Sequence, residues 1–90
     1  MRRVVFKPRC SRDMKRMKRR GKDDEQLLAV VVLLAENGRL DAAYKPHKLS
    51  GEYDGLWECH IEHDWLLIYD VSDAEVLLVR IGSHRDLFGK

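Results

Sequence analysis

The sequence contains only two cysteines, and it lacks the short motifs in which cysteine carries chemistry. Cys10 and Cys59 lie far apart and form no Cys-x-x-Cys pair. Neither a disulfide framework nor a cysteine-based zinc site is therefore expected, and we expect both residues to be reduced and to serve in packing. The chain also has no glycine-rich phosphate loop, no nucleophile elbow and no catalytic Cys–His motif.

Long apolar runs are missing as well. The longest one, residues 27–35, is much shorter than the roughly 20 residues that a membrane-spanning helix needs. The N-terminal residues are basic but include neither the apolar stretch nor the small-residue cleavage site of a signal peptide. These features predict a cytoplasmic protein with no membrane contact. A length of 90 residues predicts a single domain, residues 1–90.

The net charge is only +2, but the charges are unevenly distributed. Residues 1–22 contain eleven of the 17 Lys and Arg residues and one of the 15 acidic residues. Such a basic segment favours an anionic partner such as nucleic acid, although a solvated helix face has the same pattern. The candidate contacts with RNA or the ribosome are Arg12, Lys15, Arg16, Lys18, Arg19 and Arg20.

Hydrophobic periodicity predicts the element order β-α-α-β-β-β. Residues 3–7 are expected to form a strand, followed by a helix with Ser11 as its N-cap that ends at Gly21. A second helix is predicted from about Lys22 to Asn37. Residues 38–55 show no sustained period, and long connections of this kind are often functional. The last three strands are predicted at residues 56–62, 65–71 and 75–81.

This order predicts the α+β class. We expect the two N-terminal helices to pack on one face of a small, mostly antiparallel four-stranded sheet. Trp57, Cys59 and Ile61 alternate with polar residues, which places His60 on the opposite, free face of the sheet. Arg80 is expected on that free face too, opposite Leu77, Val79 and Ile81. No further element is predicted in the tail.

Four histidines, all in the second half of the chain, are the main candidates for chemistry: His47, His60, His63 and His84. Histidine titrates near neutral pH, which suits proton transfer. RNA supplies its own nucleophile, the 2′-hydroxyl beside the scissile phosphate. A nuclease therefore needs a base, an acid and cations near the phosphate. The histidines together with Asp64 and Arg80 provide these groups without a metal or another cofactor.

Two alternatives remain open at this point. His60-x-x-His63 followed by Asp64 could form part of a metal site completed by His47 or His84, as in a metal-dependent hydrolase, but the pair is a weak signal without cysteine partners. The basic segment would also suit a non-catalytic nucleic-acid-binding or repressor module.

Three segments resemble one known family, in order and at matching spacing. They are Tyr44–Gly51 (YKPHKLSG) with Tyr53, Asp54 and Gly55, then His60–Tyr69 (HIEHDWLLIY), and Arg80–Gly89 (RIGSHRDLFG). Together they resemble the YafQ-like toxins of the RelE/ParE superfamily. The resemblance implies a RelE-like, microbial-RNase-like fold and a ribosome-dependent endoribonuclease that cleaves mRNA, inhibits translation and forms one half of a toxin–antitoxin pair.

The resemblance also suggests roles for individual residues. It makes His84 the leading proton-transfer residue, with His60, His47 and Asp64 in the same site. We expect Asp64 to orient a histidine, Arg80 to stabilise the charge on the phosphorane, and Phe88 to stack on a base or support the tail. His63 is left outside the site because relatives often have proline there. The implied partners are the ribosome with its mRNA and a DNA-binding, DinJ-like antitoxin.

Overall fold

The structure is a computed structural model that describes residues 1–89. Its strands are β1 (Arg3–Phe6), β2 (His47–Lys48), β3 (Trp57–Glu62), β4 (Trp65–Val71) and β5 (Glu75–Gly82). Its α-helices are α1 (Pro8–Arg19), α2 (Asp24–Asn37) and α3 (His84–Phe88), and short 3₁₀ turns lie at Ala42–Tyr44 and Gly51–Tyr53. The predicted α+β class, with two N-terminal helices on one face of the sheet, is confirmed.

The strands form one sheet in the order β1-β5-β4-β3-β2. Only the β1–β5 pair is parallel, so the mostly antiparallel sheet is confirmed. The prediction of four strands is wrong, because β2 adds a fifth strand in which His47 pairs with Glu58 and Lys48 with Trp57. A two-residue strand has no periodicity of its own, since it exists through its hydrogen bonds to β3.

The start of α1 differs from the prediction. The helix begins at Pro8 with Lys7 as its N-cap, and Ser11 already donates its backbone N–H to the carbonyl of Lys7 at 3.1 Å. The prediction of Ser11 as N-cap is therefore wrong. Proline suits the first helical position because its φ is preset and the N–H it lacks would have no partner there.

The helices and the sheet enclose the main core. The fully buried residues include Leu34 on α2, Leu67 on β4 and Val76 on β5. Cys10 and Cys59 are free and buried among them, as expected, and burial raises the pKa of each thiol to about 12.

The opposite face of the sheet is not free, which corrects the prediction. Leu66 and Ile68 are buried there against Tyr53 from a 3₁₀ turn and Leu87 from α3. The tail folds back as α3 because Ser83 and Asp86 form a capping box and Gly89 ends the helix at φ +73°. This small second core holds α3 on the sheet.

The pairing of β4 with β5 contains a register shift. Ile68 pairs with Arg80 but Tyr69 pairs with Leu78, so β5 carries one extra residue between them. Leu78 and Ile81 consequently both join the main core, whereas Val79 packs against the second core. The predicted strict alternation of Leu77, Val79 and Ile81 is wrong because the bulge inverts it within the strand.

Candidate active site

His84 is held by the turn between β3 and β4. It is the first residue of α3, and its backbone N–H donates to Asp64 Oδ1 at 2.8 Å. The Nδ1 atom of its ring lies 2.6 Å from the same oxygen. A carboxylate only accepts hydrogen bonds, so Nδ1 carries the hydrogen and Nε2 remains for proton transfer. These bonds, the backbone one first, hold the pKa of Asp64 below its usual value.

The His84 ring is open to solvent and lies close to His60. The two ring centroids are 5.9 Å apart. The His84 side chain is 47% exposed and the His60 side chain 21%, so a ligand can reach both. The structure thus brings together histidines from the tail and from β3, as expected.

His47 joins the same group through a buried carboxylate. Its Nε2 lies 3.3 Å from Glu58 Oε1, and the Nε2 of His60 lies 3.8 Å from the same atom. The Nδ1 of His47 faces the Lys45 carbonyl at 3.1 Å. The His47 ring is therefore in contact with one oxygen through each of its nitrogens. Glu58 is only 4% exposed, so its charge acts mainly on the two histidines.

Phe88 extends this group along α3. Its ring centroid lies 6.5 Å from that of His84 and 5.7 Å from that of Tyr53. Phe88 is 36% exposed, so part of its ring is accessible beside His84. Both predicted roles of Phe88, stacking and support of the tail, fit this position.

Arg80 is buried and paired. Its Nε and Nη2 donate to Asp13 on α1 at 2.6 and 3.1 Å, and its Nη1 donates to the Tyr53 hydroxyl at 3.1 Å. The same groups raise the pKa of Arg80, Asp13 most strongly. The described contacts do not join Arg80 to the Asp64–His84 pair, and the Asp13 carboxylate neutralises its charge. Arg80 therefore links Tyr53 to α1 in this structure, and its contact with a phosphate stays a prediction.

The basic residues of α1 divide into two groups. Arg12, Lys15, Lys18 and Arg19 are exposed, as a surface for an anionic partner requires. Arg16 and Arg20 form ion pairs within the chain, Arg16 with Asp13 and Arg20 with Asp86, while their side chains stay 34% and 44% exposed. Contact of these residues with RNA stays a prediction.

The residues of the metal alternative lie on β2 and β3, in the turn after β3 and at the start of α3. His60 lies on β3, and His63 is exposed in the following turn. Within residues 1–89, no group of three or more His, Cys, Asp and Glu side chains is arranged to hold a metal ion.

Comparisons with known proteins match this fold over almost the whole chain. The sequence profile of a family described as "Bacterial toxin of type II toxin-antitoxin system, YafQ" matches residues 2–89. The chain belongs to the YafQ toxin family. The mRNA interferase toxin YafQ of Escherichia coli K12 is 37% identical over 87 residues, which cover 96% of this chain and 95% of that protein.

Solved structures place the chain in the YafQ family by fold as well. The crystal structure of YafQ from E. coli strain BL21(DE3) is similar with a TM-score of 0.90 at 34% identity, covering 99% of this chain and 100% of that one. YafQ in the E. coli DinJ–YafQ complex is similar with a TM-score of 0.88 at 36% identity, with the same coverage. Among residues 1–89 of this YafQ-family chain, no helix is both long and apolar enough to cross a membrane.

Two features of this YafQ-family site were missed in the sequence. Glu58 lies between two histidines, and alternation along β3 already placed it on the same face as His60. Ser83 and Asp86 form the capping box of α3, and the Ser-x-x-Asp spacing was the available signal. Both features concern residues that position histidines.

Proposed function

We propose that this chain is the toxin of a toxin–antitoxin pair and a ribosome-dependent endoribonuclease that cleaves mRNA without a metal ion, inhibiting translation and growth. The observation that carries the proposal is the exposed His84 ring, fixed by Asp64 through Nδ1 and facing His60. Membership of the YafQ family and similarity to a protein named mRNA interferase toxin support it.

The reaction is a transfer at phosphorus. A base removes the proton of the 2′-hydroxyl, the 2′-oxygen bonds to phosphorus, and the bond from phosphorus to the 5′-oxygen breaks. An acid gives a proton to the leaving 5′-oxygen. The products are a 2′,3′-cyclic phosphate and a 5′-hydroxyl, so no oxidant or water is consumed. Proton transfer by positioned side chains contributes about 100- to 10,000-fold to such a rate.

His84 and His60 are the pair that this step requires. With Nδ1 of His84 bonded to Asp64, the free Nε2 either takes or gives the proton, and Asp64 stabilises the charged ring. The His60 ring lies beside it, with the two ring centroids 5.9 Å apart. We assign proton transfer to these two histidines jointly, without dividing the roles of base and acid between them.

His47 would contact the phosphate beside them. Its ring, held near Glu58 and the Lys45 carbonyl, would donate a hydrogen bond to the phosphate oxygens on which charge develops. Phe88 would stack on a base next to the scissile bond. Arg80 would support the site indirectly, because its guanidinium holds the Tyr53 hydroxyl near α1.

The exposed basic residues of α1, among them Arg12, Lys15, Lys18 and Arg19, would contact ribosomal RNA. Contacts of this kind make binding sensitive to salt and leave the choice of message to the ribosome. The site of action would then be the cytoplasm. The partner would be a DinJ-like, DNA-binding antitoxin, because the similar E. coli toxin has been solved as a DinJ–YafQ complex.

The test compares His84→Ala with His63→Ala in cells. Induction of the wild type and of His63→Ala should arrest growth and create new 5′ ends within translated messages, whereas His84→Ala should do neither. His63 is the matched control because it is an exposed histidine in the turn next to Asp64 and has no assigned role. Circular dichroism should show the same fold for all three proteins.

Full toxicity of His84→Ala would refute the catalytic assignment. RNA binding by the wild type without any new message ends would favour the non-catalytic module instead.

A further inference from the structure

The helix that carries His84 is too short to be stable alone. α3 has five residues, whereas isolated helices shorter than about 12–15 residues are marginal in water. Its position must therefore be set by contacts outside the helix. Leu87 provides one of these through its burial in the second core, and its carbonyl accepts a hydrogen bond from the Tyr53 hydroxyl at 3.3 Å.

A second anchor comes from α1 through a two-point ion pair. Arg20, at the C-terminal end of α1, donates from Nη1 to Asp86 Oδ2 at 2.6 Å and from Nη2 to Asp86 Oδ1 at 3.1 Å. Paired bonds of this type fix orientation as well as distance. Arg16 adds its charge, with Nε 3.9 Å from Asp86 Oδ1. The bonds from Arg20 are the main reason that the pKa of Asp86 lies well below its usual value.

Asp86 links that ion pair to the residue before His84. Its Oδ2 accepts the backbone N–H of Ser83 at 3.0 Å, and its own N–H donates to the Ser83 hydroxyl at 3.1 Å. Ser83 is the N-cap, so these bonds set the direction in which the chain enters α3 at His84.

Gly82 provides the space for this arrangement. A Cβ at Gly82 would lie 2.8 Å from the Cβ of Asp86 and 3.0 Å from its Oδ2. Real Cβ atoms do not approach other atoms so closely, so the Asp86 side chain lies where only glycine leaves room for it. The Asp86 carboxylate therefore lies where three elements meet: the end of β5, the N-cap of α3 and the end of α1.

We infer that Arg20 is a positioning residue which, through Asp86, holds the first turn of α3 so that the His84 ring meets Asp64 and His60. The inference rests on the proposed function, in which His84 transfers a proton. It gives Arg20 a role inside the protein in place of the RNA contact that the basic segment suggests.

The anchor matters because the Asp64–His84 pair is exposed. The side chains of His84 and Asp64 are 47% and 57% accessible to water, and ion pairs in water are weak constraints. Release of Asp86 would free the first turn of α3, and with it the His84 ring. A misplacement of about 1 Å can lower an enzymatic rate about 100-fold.

Two disrupting variants and one comparator test the inference. Arg20→Ala removes both hydrogen bonds of the guanidinium to Asp86. Asp86→Asn removes the negative charge of the carboxylate but keeps an oxygen that can accept the Ser83 N–H. Arg19→Ala is the matched comparator, because it removes one positive charge from an exposed neighbour in α1 that has no ion pair in the described part of the chain.

Cleavage of ribosome-bound message separates positioning from binding. We expect Arg20→Ala and Asp86→Asn to lower kcat about 10- to 100-fold with little change in KM. The double variant should be no worse than the poorer single one, because both changes remove the same contact. Arg20→Lys should have a kcat between those of Arg20→Ala and the wild type, since lysine keeps the positive charge but cannot donate two parallel hydrogen bonds to Asp86. Arg19→Ala should raise KM and preserve kcat.

A second readout does not depend on catalysis. In the free protein, nitrogen and proton NMR of the His84 ring reports its Nδ1–H bond to Asp64. We expect that signal to shift or broaden in Arg20→Ala and Asp86→Asn and to stay unchanged in Arg19→Ala. If Arg20→Ala does not fold, Asp86→Asn decides the question alone.

Wild-type kcat together with an unchanged His84 signal in the disrupting variants would overturn the inference. An effect of Arg20→Ala on KM alone would also overturn it, because Arg20 would then be an RNA contact. If His84→Ala remained active, the proposed function would fail, and the NMR signal would still show whether Arg20 positions the ring.

Discussion

The two faces of the sheet are stabilised in different ways. On the helix-covered face, side chains such as Leu34, Leu67 and Val76 are fully buried in a continuous apolar core. On the histidine-bearing face, the apolar core is small, and α3 depends on ion pairs and caps such as Arg20–Asp86 and Ser83–Asp86. The comparison implies that substitutions on the first face lower the stability of the fold, whereas substitutions on the second displace the side chains of the candidate site.

Asp13 connects the two regions, and its loss should have the largest effect on stability. It is 3% exposed and accepts bonds from Arg80 and from the backbone N–H of Ile81. Asp13→Ala leaves the Arg80 charge buried without its partner, which costs about 3–5 kcal/mol. Urea unfolding measures the loss. The double variant Asp13→Leu/Arg80→Met should recover most of it, and equal instability of the single and double variants would contradict this account.

Leu34→Ala tests the helix-covered face alone. Leu34 is fully buried on α2, and a cavity of this kind costs about 2–5 kcal/mol. Leu28→Ala is the matched control, because Leu28 lies on the same helix and is 60% exposed. We expect message cleavage by Leu34→Ala to remain near the wild-type rate at temperatures where the variant is folded. A lower kcat in fully folded protein would show that the two faces are not separable.

Asp64→Asn tests the opposite face with little effect on stability. The amide still accepts the backbone N–H of His84 but cannot stabilise a charged ring. We expect kcat to fall about 10-fold or more, as part of the proton-transfer contribution is lost. The midpoint of urea unfolding should hardly move, because the pair is exposed. A large loss of stability at unchanged kcat would show that Asp64 stabilises the fold and does not serve catalysis, contrary to this account.

Acid should weaken the anchors of α3 only at low pH. The pKa values of Asp64 and Asp86 are both lowered, by the bonds from His84 and from Arg20 respectively. Their stabilising contribution is therefore complete above the usual pKa of aspartate, about 4, and is lost as the pH falls through the lowered values. Urea midpoints between pH 5 and pH 2 measure this, and Asp86→Asn should reduce the fall. A fall of the same size in Asp86→Asn would rule out Asp86 as its source.

The apolar face was largely predictable from the sequence because periodicity is a local signal. β4 has the predicted bounds, residues 65–71, and α2 ends at Asn37, as the Asn-Gly pair indicates. The convergence of His60 and His84 was expected from the family resemblance, and the structure brings their rings together. Their catalytic roles stay predictions.

The polar face was less predictable because it depends on partners distant in sequence. The burial of Arg80 requires Asp13 from α1, and the bulge in β5 has no signature in the apolar pattern. β2 is too short for a period, and Arg20 has the same appearance as its exposed basic neighbours until Asp86 is seen beside it. α3 is the exception, since the Ser83–Asp86 spacing could have predicted its start.

The most direct test of the central claim is the chemistry of the cut RNA. A ribosome-bound message should be cleaved by the wild type to give a 2′,3′-cyclic phosphate and a 5′-hydroxyl, and a single 2′-deoxy nucleotide at the cleavage position should abolish the cut. Cleavage of that deoxy-substituted message, or products that carry a 5′-phosphate, would show that the histidines of this site do not activate the 2′-hydroxyl.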